Sequence, residues 1–256
     1  MTRYLTRRLL QMIPLLLFMG VGVSLRWQTD KLRRVMKYLV PIMIISLALS
    51  SILLKLCLGH IEGYPLSGLT LGLWIISGTM YLAIRRTLTR GVLSLSQAFW
   101  GMLLSHSGVA ITVIGVSVST GYGIQEDVKM SPGESFMLAG YKVTFLKELP
   151  LKGPNYEGTR ASFRVVKGSH SKVIYPEKRF YNVTKMPMTD SAIDVSPFRD
   201  VYIALGEPLD DDSWSVRLYL KPLVRWIWAG GFFIFLGGLL GLTDRRYFDS
   251  RKRKAT

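Results

Sequence analysis

Five apolar runs punctuate the chain: Leu9 to Leu25, Tyr38 to Leu58, Leu69 to Ile84, Gln97 to Thr120 and Val224 to Leu242. A helix needs about 20 apolar residues to cross a hydrocarbon core, so the first and third runs fall at the lower limit of spanning length. The segment between the fourth and fifth runs follows another period. Tyr141 to Phe145, Ala161 to Val166, Val201 to Leu205 and Trp214 to Leu220 alternate apolar and polar residues, as half-buried strands do. Ser131-Pro132-Gly133, Lys152-Gly153-Pro154-Asn155, Lys167-Gly168-Ser169 and Asp210-Asp211-Asp212 supply the turns between them. The pattern predicts a polytopic α-helical membrane protein of about five transmembrane helices. A small outward-facing β-rich domain, an antiparallel barrel or sandwich, is inserted before the last helix. The expected division is a four-helix membrane domain over residues 1–120, the β-rich domain over 121–222, the final helix over 223–243 and a basic tail over 244–256.

Composition agrees with a membrane protein: 49% of the 256 residues are hydrophobic, mean hydropathy is +0.26 and the formal net charge is +16. A charge this positive also suits nucleic-acid binding, but the cations sit at the ends of apolar runs, which excludes that class and points to membrane flanks. They also set the orientation, because short loops rich in Lys and Arg stay in the cytoplasm. One side collects the cations of residues 26–37, Arg85, Arg86, Arg90 and the tail from Arg245 to Lys254, fourteen in all, against Arg3, Arg7 and Arg8 opposite. The C-terminus is therefore expected in the cytoplasm, and the β-rich domain on the outward face of the membrane. The basic start resembles a signal anchor, which would place the N-terminus inside, but the charge balance outweighs it.

In the fourth run Gly101, Gly108 and Gly115 recur every seven residues and share one helix face, a seam on which another helix can pack closely. His106 lies roughly 200° from Gly108 at about 100° per residue, in a stripe with Met102, Ala110 and Val113. Counting about 1.5 Å per residue from Gln97 brings the imidazole near the bilayer midplane. An imidazole at that depth needs a hydrogen bond, water or a metal. Three readings remain: a neutral ring bonded to a neighbouring helix, a proton relay, or a haem-iron ligand. A relay needs other acids or bases at membrane depth, and the spans supply essentially none. Haem, with its apolar faces, suits the site better.

The other candidates are plainer. His60 and His170 read as solvated, Cys57 is alone, and no His, Cys or carboxylate spacing suggests a metal site. Asn182-Val183-Thr184 matches a glycosylation triplet that arises often by chance. The Gly237 and Gly241 pair in the fifth run suits helix packing, and Arg225-Trp226-Ile227-Trp228 forms an interfacial aromatic belt.

Longer stretches resemble a known family. They are Pro14 to Gly22 with Arg26-Trp27, Ser105-His106-Ser107-Gly108-Val109-Ala110, Gly153-Pro154-Asn155-Tyr156 and Tyr175-Pro176-Glu177-Lys178-Arg179-Phe180-Tyr181. Pro187-Met188-Thr189 through Asp194, Arg199 and Asp200 to Leu205-Gly206-Glu207-Pro208 continues the series, and Trp214-Ser215-Val216-Arg217 to Asp244-Arg245-Arg246-Tyr247 closes it. Together they are similar to the C-terminal part of the CcmF/NrfE haem lyases of cytochrome c maturation.

The resemblance implies that His106 is an axial ligand of a membrane-held haem b that reduces incoming haem iron. It implies attachment of chaperone-delivered haem to the Cys-x-x-Cys-His motif of an apocytochrome c on the outer face. Within the resembling stretches, Arg26, Trp27, Pro154, Asn155, Arg179, Asp194, Arg199 and Asp200 are expected as structural or partner contacts. A full family member also carries an upstream Trp-rich outer segment, two outward histidines and a second membrane histidine, none with a counterpart here. Val23-Ser24 stands where the family has Gly-Pro. The chain is therefore expected to act as one part of a haem lyase, sharing its haem b with an N-terminal half. Its other expected partners are a haem chaperone, apocytochrome c and thiol-handling proteins. The alternative is a non-catalytic membrane scaffold for those partners; no span carries the acids a transporter would need.

Overall fold

The computed structural model of the protein describes residues 2–22, 32–183, 186–209 and 212–244, with side chains from residue 12 onward except at 32, 34, 35 and 93. Two compact units divide the chain: a helical unit, Met1–Gly121 with Arg225–Thr256, and a β unit, Tyr122–Val224. The helical unit holds α1 (Thr2–Gly22), α2 (Leu32–Leu58), α3 (Gly63–Arg90), α4 (Gln97–Gly121) and α5 (Val224–Leu242). Four stretches are long and apolar enough to cross a membrane: Met36–Leu58, Gly63–Arg90, Gln97–Gly121 and Val224–Leu242. Met12–Gly22 is a shorter apolar helix. α3 runs well past the expected Leu69 to Ile84 at both ends. Pro65 sits in its first turn, where a missing N–H costs no helical bond, and Arg85, Arg86 and Arg90 carry their charges away on long stems.

α3 is the centre of the unit and touches α1, α2 and α4. Gly68 lies beside Ser117 and Gly72 beside Ile114, so α3 and α4 run antiparallel. Tyr38 stacks on Tyr81 at 5.9 Å between ring centroids, which sets α2 antiparallel to α3. Trp74 is almost fully buried and donates its indole N–H to the Leu17 carbonyl at 3.3 Å, holding α1. Leu16, Leu39, Leu71, Trp74, Ile75 and Ala110 form the shared apolar core.

The β unit is a sandwich of two antiparallel sheets. Its strands are β1 (Ile124–Met130), β2 (Ser135–Leu138), β3 (Tyr141–Lys152), β4 (Tyr156–Lys167), β5 (His170–Ile174), β6 (Glu177–Tyr181), β7 (Pro187–Asp190), β8 (Ala192–Val195), β9 (Arg199–Pro208) and β10 (Trp214–Pro222). One sheet orders them β1-β10-β9-β8; the other runs β2-β3-β4-β6-β7 with β5 also paired to β4. The period-two runs supply the core: Val143, Phe145, Phe163, Val165, Val201, Ile203, Val216 and Leu218 are fully buried. Phe145 and Phe163 stack across the β3–β4 ladder at 4.6 Å. Each such side chain contributes about 1.5–3 kcal/mol by leaving water. A bulge between Phe145 and Lys147 shifts the register, and β3 and β4 then continue past the core into exposed positions.

Candidate functional site

His106 sits on α4, half-buried, with Nδ1 2.8 Å from the carbonyl oxygen of Met102. A carbonyl only accepts, so Nδ1 carries the hydrogen and the lone pair of the neutral ring lies on Nε2. The hydrogen-bond partner belongs to its own helix and not to a neighbouring one. Fixing one ring nitrogen on a backbone carbonyl is the arrangement that orients an imidazole toward a metal through the other. Among the described residues no group of three or more His, Cys, Asp and Glu could hold a metal ion.

The glycine seam is formed by α4 and α5. A Cβ on Gly101 would come 2.5 Å from the Gly237 carbonyl oxygen, and one on Gly108 would come 2.6 Å from that of Gly230. Only hydrogen fits at these positions. Thr112 Oγ1 and Ser105 Oγ, on the same face, lie 3.4 Å from the carbonyls of Ile227 and Ile234. His106 points away from this seam, but its stripe is not uniformly open. Ala110 is fully buried against α3, and Val113 packs into the core with α1. One turn from His106, an apolar groove of about 550 Å³ lies between α1, α4 and α5, lined by Leu15, Phe18, Val109, Val113 and Ile234 among others.

The α4 N-terminus reveals a residue that the sequence pattern missed. Asp244, just past the end of α5 and almost fully buried, accepts the Ala98 N–H at 2.8 Å through Oδ2. It supplies a cap for a helix start 146 residues away, stabilising free N–H groups and the positive end of the helix dipole. One acid at the end of an apolar run, followed by arginines, was its signal in the sequence.

The β-unit candidates fall into two groups. In the first, Asp194 is fully buried and accepts Arg199 Nη1 at 2.7 Å and His170 Nε2 at 3.0 Å, with Lys172 Nζ at 3.6 Å. Burial alone would raise the Asp194 carboxyl, but hydrogen bonds from Arg199 and then His170 outweigh it and hold the group below the usual carboxylate range. His170 is exposed, as expected, but it lies in a strand and is tied to a buried acid. It opens β5 and ties that strand to β8 through the buried acid, because the hairpin at Lys167-Gly168-Ser169 ends one residue earlier than the sequence suggests. Arg199 also lies over the Tyr141 ring at 4.3 Å, and Lys167 Nζ lies at the same distance from it. Asp200 Oδ1 accepts the Ser196 N–H at 3.2 Å.

The second group surrounds Arg179. It pairs with Glu177 at 2.5 Å and Asp190 at 2.7 Å, and lies over Tyr156 at 5.0 Å. Glu177 also binds Arg160 at 2.6 Å. Burial works to raise the Glu177 carboxyl; hydrogen bonds from Arg179 and Arg160 prevail and lower it, and the bond to Glu177 raises Arg179 in return. Pro154 and Asn155 form the adjoining β3–β4 turn, where the Asn155 carbonyl accepts the Asn182 N–H at 3.0 Å. Arg26, Trp27 and Thr184 of the glycosylation triplet lie outside the described residues. His60 is exposed in the α2–α3 loop, 3.3 Å from Glu62.

A membrane-spanning helical unit with an inserted antiparallel β-sandwich and a half-buried histidine on an apolar helix defines a polytopic membrane protein of a particular class. The model of the CcmF C-terminal beta-sandwich matches residues 121–222. The chain is 40% identical over 243 residues to the cytochrome c-type biogenesis protein CcmF of Escherichia coli (strain K12), covering 94% of this chain and 37% of that protein. It is 36% identical to CcmF of Pseudomonas fluorescens, over 94% of this chain and 38% of that one, and 34% identical to the cytochrome c-type biogenesis protein ccl1 of Rhodobacter capsulatus, over 96% and 38%. A solved structure, "Cytochrome c Heme Lyase CcmF", shares the fold with a TM-score of 0.73 and 23% identity, over 91% of this chain and 39% of that one. The chain belongs to the CcmF family of cytochrome c-type biogenesis proteins. It spans about two fifths of the length of the curated relatives it matches, the part that carries their C-terminal β-sandwich.

Proposed function

We propose that this chain takes part in the covalent attachment of haem to apocytochrome c, and that His106 supplies one axial bond to a haem b held in the membrane. The observation that carries the second claim is the Nδ1 to Met102 carbonyl hydrogen bond, which leaves Nε2 as the donor atom. The residues fit the group: an imidazole of fixed tautomer, half-buried on an apolar helix, beside a groove lined by aliphatic and aromatic side chains. When bound, haem iron supplies one-electron redox chemistry. The protein's own part is to hold the ring, exclude water with the surrounding apolar residues and keep α4 rigid through its seam with α5.

The second axial bond comes from another polypeptide, one carrying the N-terminal part of the family's proteins. The β unit, in the periplasm of a bacterial inner membrane, docks that partner, a haem chaperone, or apocytochrome c with its thiol-handling proteins. The Lys and Arg distribution supports this orientation, with the C-terminus in the cytoplasm. The candidate contact residues are Pro154 and Asn155 with the partly exposed Arg179, and Arg26 with Trp27; Asp194, Arg199 and Asp200 take the structural role, since the two acids are buried and Arg199 pairs with Asp194. The test is co-expression with an N-terminal companion and a c-type apocytochrome. Haem attached covalently to the apocytochrome only when both polypeptides are present supports the proposal; attachment by this chain alone, or by the companion alone, contradicts it. A non-catalytic scaffold is the second reading, favoured by the ion-pair networks around Asp194 and Glu177 in the β unit. It predicts a purified complex with no b-type haem absorbance.

A further inference from the structure

The lipid-facing wall of α2 changes character once along its length. Arg33, Lys37, Val40, Ile44 and Leu47 fall at spacings of four, three, four and three, so they form one stripe on the helix. All five are exposed, with Val40, Ile44 and Leu47 exposed by 42%, 62% and 47%. Leu39, Ser46 and Ser50, about 120° round the helix from this stripe, form the buried face. Two cations thus head an apolar track that continues down the helix. Arg85 lies at the same end, one turn beyond Tyr81, whose ring stacks on Tyr38.

No carboxylate among the described residues answers these charges. Glu62 precedes α3 at the far end of that helix, and Asp244 is buried and accepts the Ala98 N–H. A pair of cations with no carboxylate partner among the described residues, directly above exposed aliphatic side chains, is complementary to a molecule with an anionic head and apolar tails. A nucleic acid or an acidic peptide would meet the cations but leave the track uncovered. We infer that Arg33 and Lys37 bind the phosphate of an anionic phospholipid whose acyl chains lie along Val40, Ile44 and Leu47.

Lys55 provides an internal control. It lies on the same face of α2 near its other end, eighteen residues from Lys37, about 27 Å at 1.5 Å per residue, and so beyond the reach of the same headgroup. The experiment equilibrates the full chain in detergent with equal amounts of dioleoyl phosphatidylglycerol and dioleoyl phosphatidylcholine. Lipid retained after gel filtration is then quantified by mass spectrometry. Wild type should retain phosphatidylglycerol preferentially. Each cation neutralised should reduce that preference about fivefold, so Arg33→Gln with Lys37→Gln should nearly abolish it. Lys55→Gln should leave it within about twofold, and added salt should weaken it in the wild type by screening. Inorganic phosphate in excess over the lipid should not displace it. Equal retention of the two lipids by wild type, unchanged preference in the double variant, equal loss in Lys55→Gln, insensitivity to salt, or displacement by inorganic phosphate would each overturn the inference. Salt sensitivity is read on wild type alone, so the test survives a variant that folds poorly.

Discussion

Replacing Asp194 with Asn isolates the electrostatic closure of the sandwich, because the substitution keeps the volume of a fully buried side chain and removes its charge. Arg199, with 16% of its side chain exposed, loses its carboxylate partner while remaining largely buried; His170 and Lys172, at 43% and 44%, can turn to water. Breaking a buried pair by removing one partner costs about 3–5 kcal/mol, and the exposure of two of the three cations puts the expected value near the lower figure. About 3 kcal/mol is a factor of roughly 150 in the opening equilibrium. The assay is hydrogen exchange of the full chain in detergent, read on the β9 amides around Val201, Ile203 and Leu205, which lie in the core beside the network.

The pH dependence has a definite sign. The Asp194 carboxyl is lowered in the folded state, so its contribution is complete above the unfolded value of about 4 and fades as pH falls through the lower folded value. After correction for intrinsic exchange, wild type should therefore lose protection on acidification below about pH 4, and Asp194→Asn should lose less over the same window. Exchange in the variant within about threefold of wild type at neutral pH, a difference under about 0.7 kcal/mol, would refute the reasoning.

Other outcomes follow from the same structure. Phe163→Ala removes half of the Phe145 stack from a fully buried position and should destabilise the β unit by about 3–5 kcal/mol, read from the denaturant midpoint of a β-unit fluorescence or exchange probe. Gly108→Val places a side chain against the Gly230 carbonyl and should separate α4 from α5 at a cost of about 1–3 kcal/mol, visible as a lower thermal midpoint in detergent; an unchanged midpoint would show that the seam is loose. Asp244→Ala should cost about 0.5–2 kcal/mol and speed exchange of the Ala98 amide more than those in the middle of α4.

How much of this was legible in the sequence follows from periodicity. Apolar runs and two-residue alternation report one-sided burial, so the helices and the strands lining the core, β3, β4, β9 and β10, announced themselves. β1, β6 and β7 did not, because they sit largely at exposed or charged positions and are held by ladder hydrogen bonds and ion pairs. Gly101 and Gly108 were visible as a seam, yet their partner helix was not; only the fold brings Gly230 and Gly237 opposite them. His106 stood out because a polar ring in an apolar run is costly, while its Met102 partner is a backbone atom that no pattern marks. The His170–Asp194 bond spans 24 residues and two sheets, and local sequence carries no trace of it.

The most direct measurement is the b-type haem content of the complex between this chain and its N-terminal companion, taken from the reduced absorbance spectrum with His106 intact and with His106→Gly. An axial role for His106 predicts a low-spin haem b in the wild-type complex, its loss in His106→Gly with the chain still inserted in the membrane, and its partial return on adding imidazole. Unchanged haem content in His106→Gly, or a complete bis-histidine spectrum from this chain without its companion, would contradict a haem shared through His106.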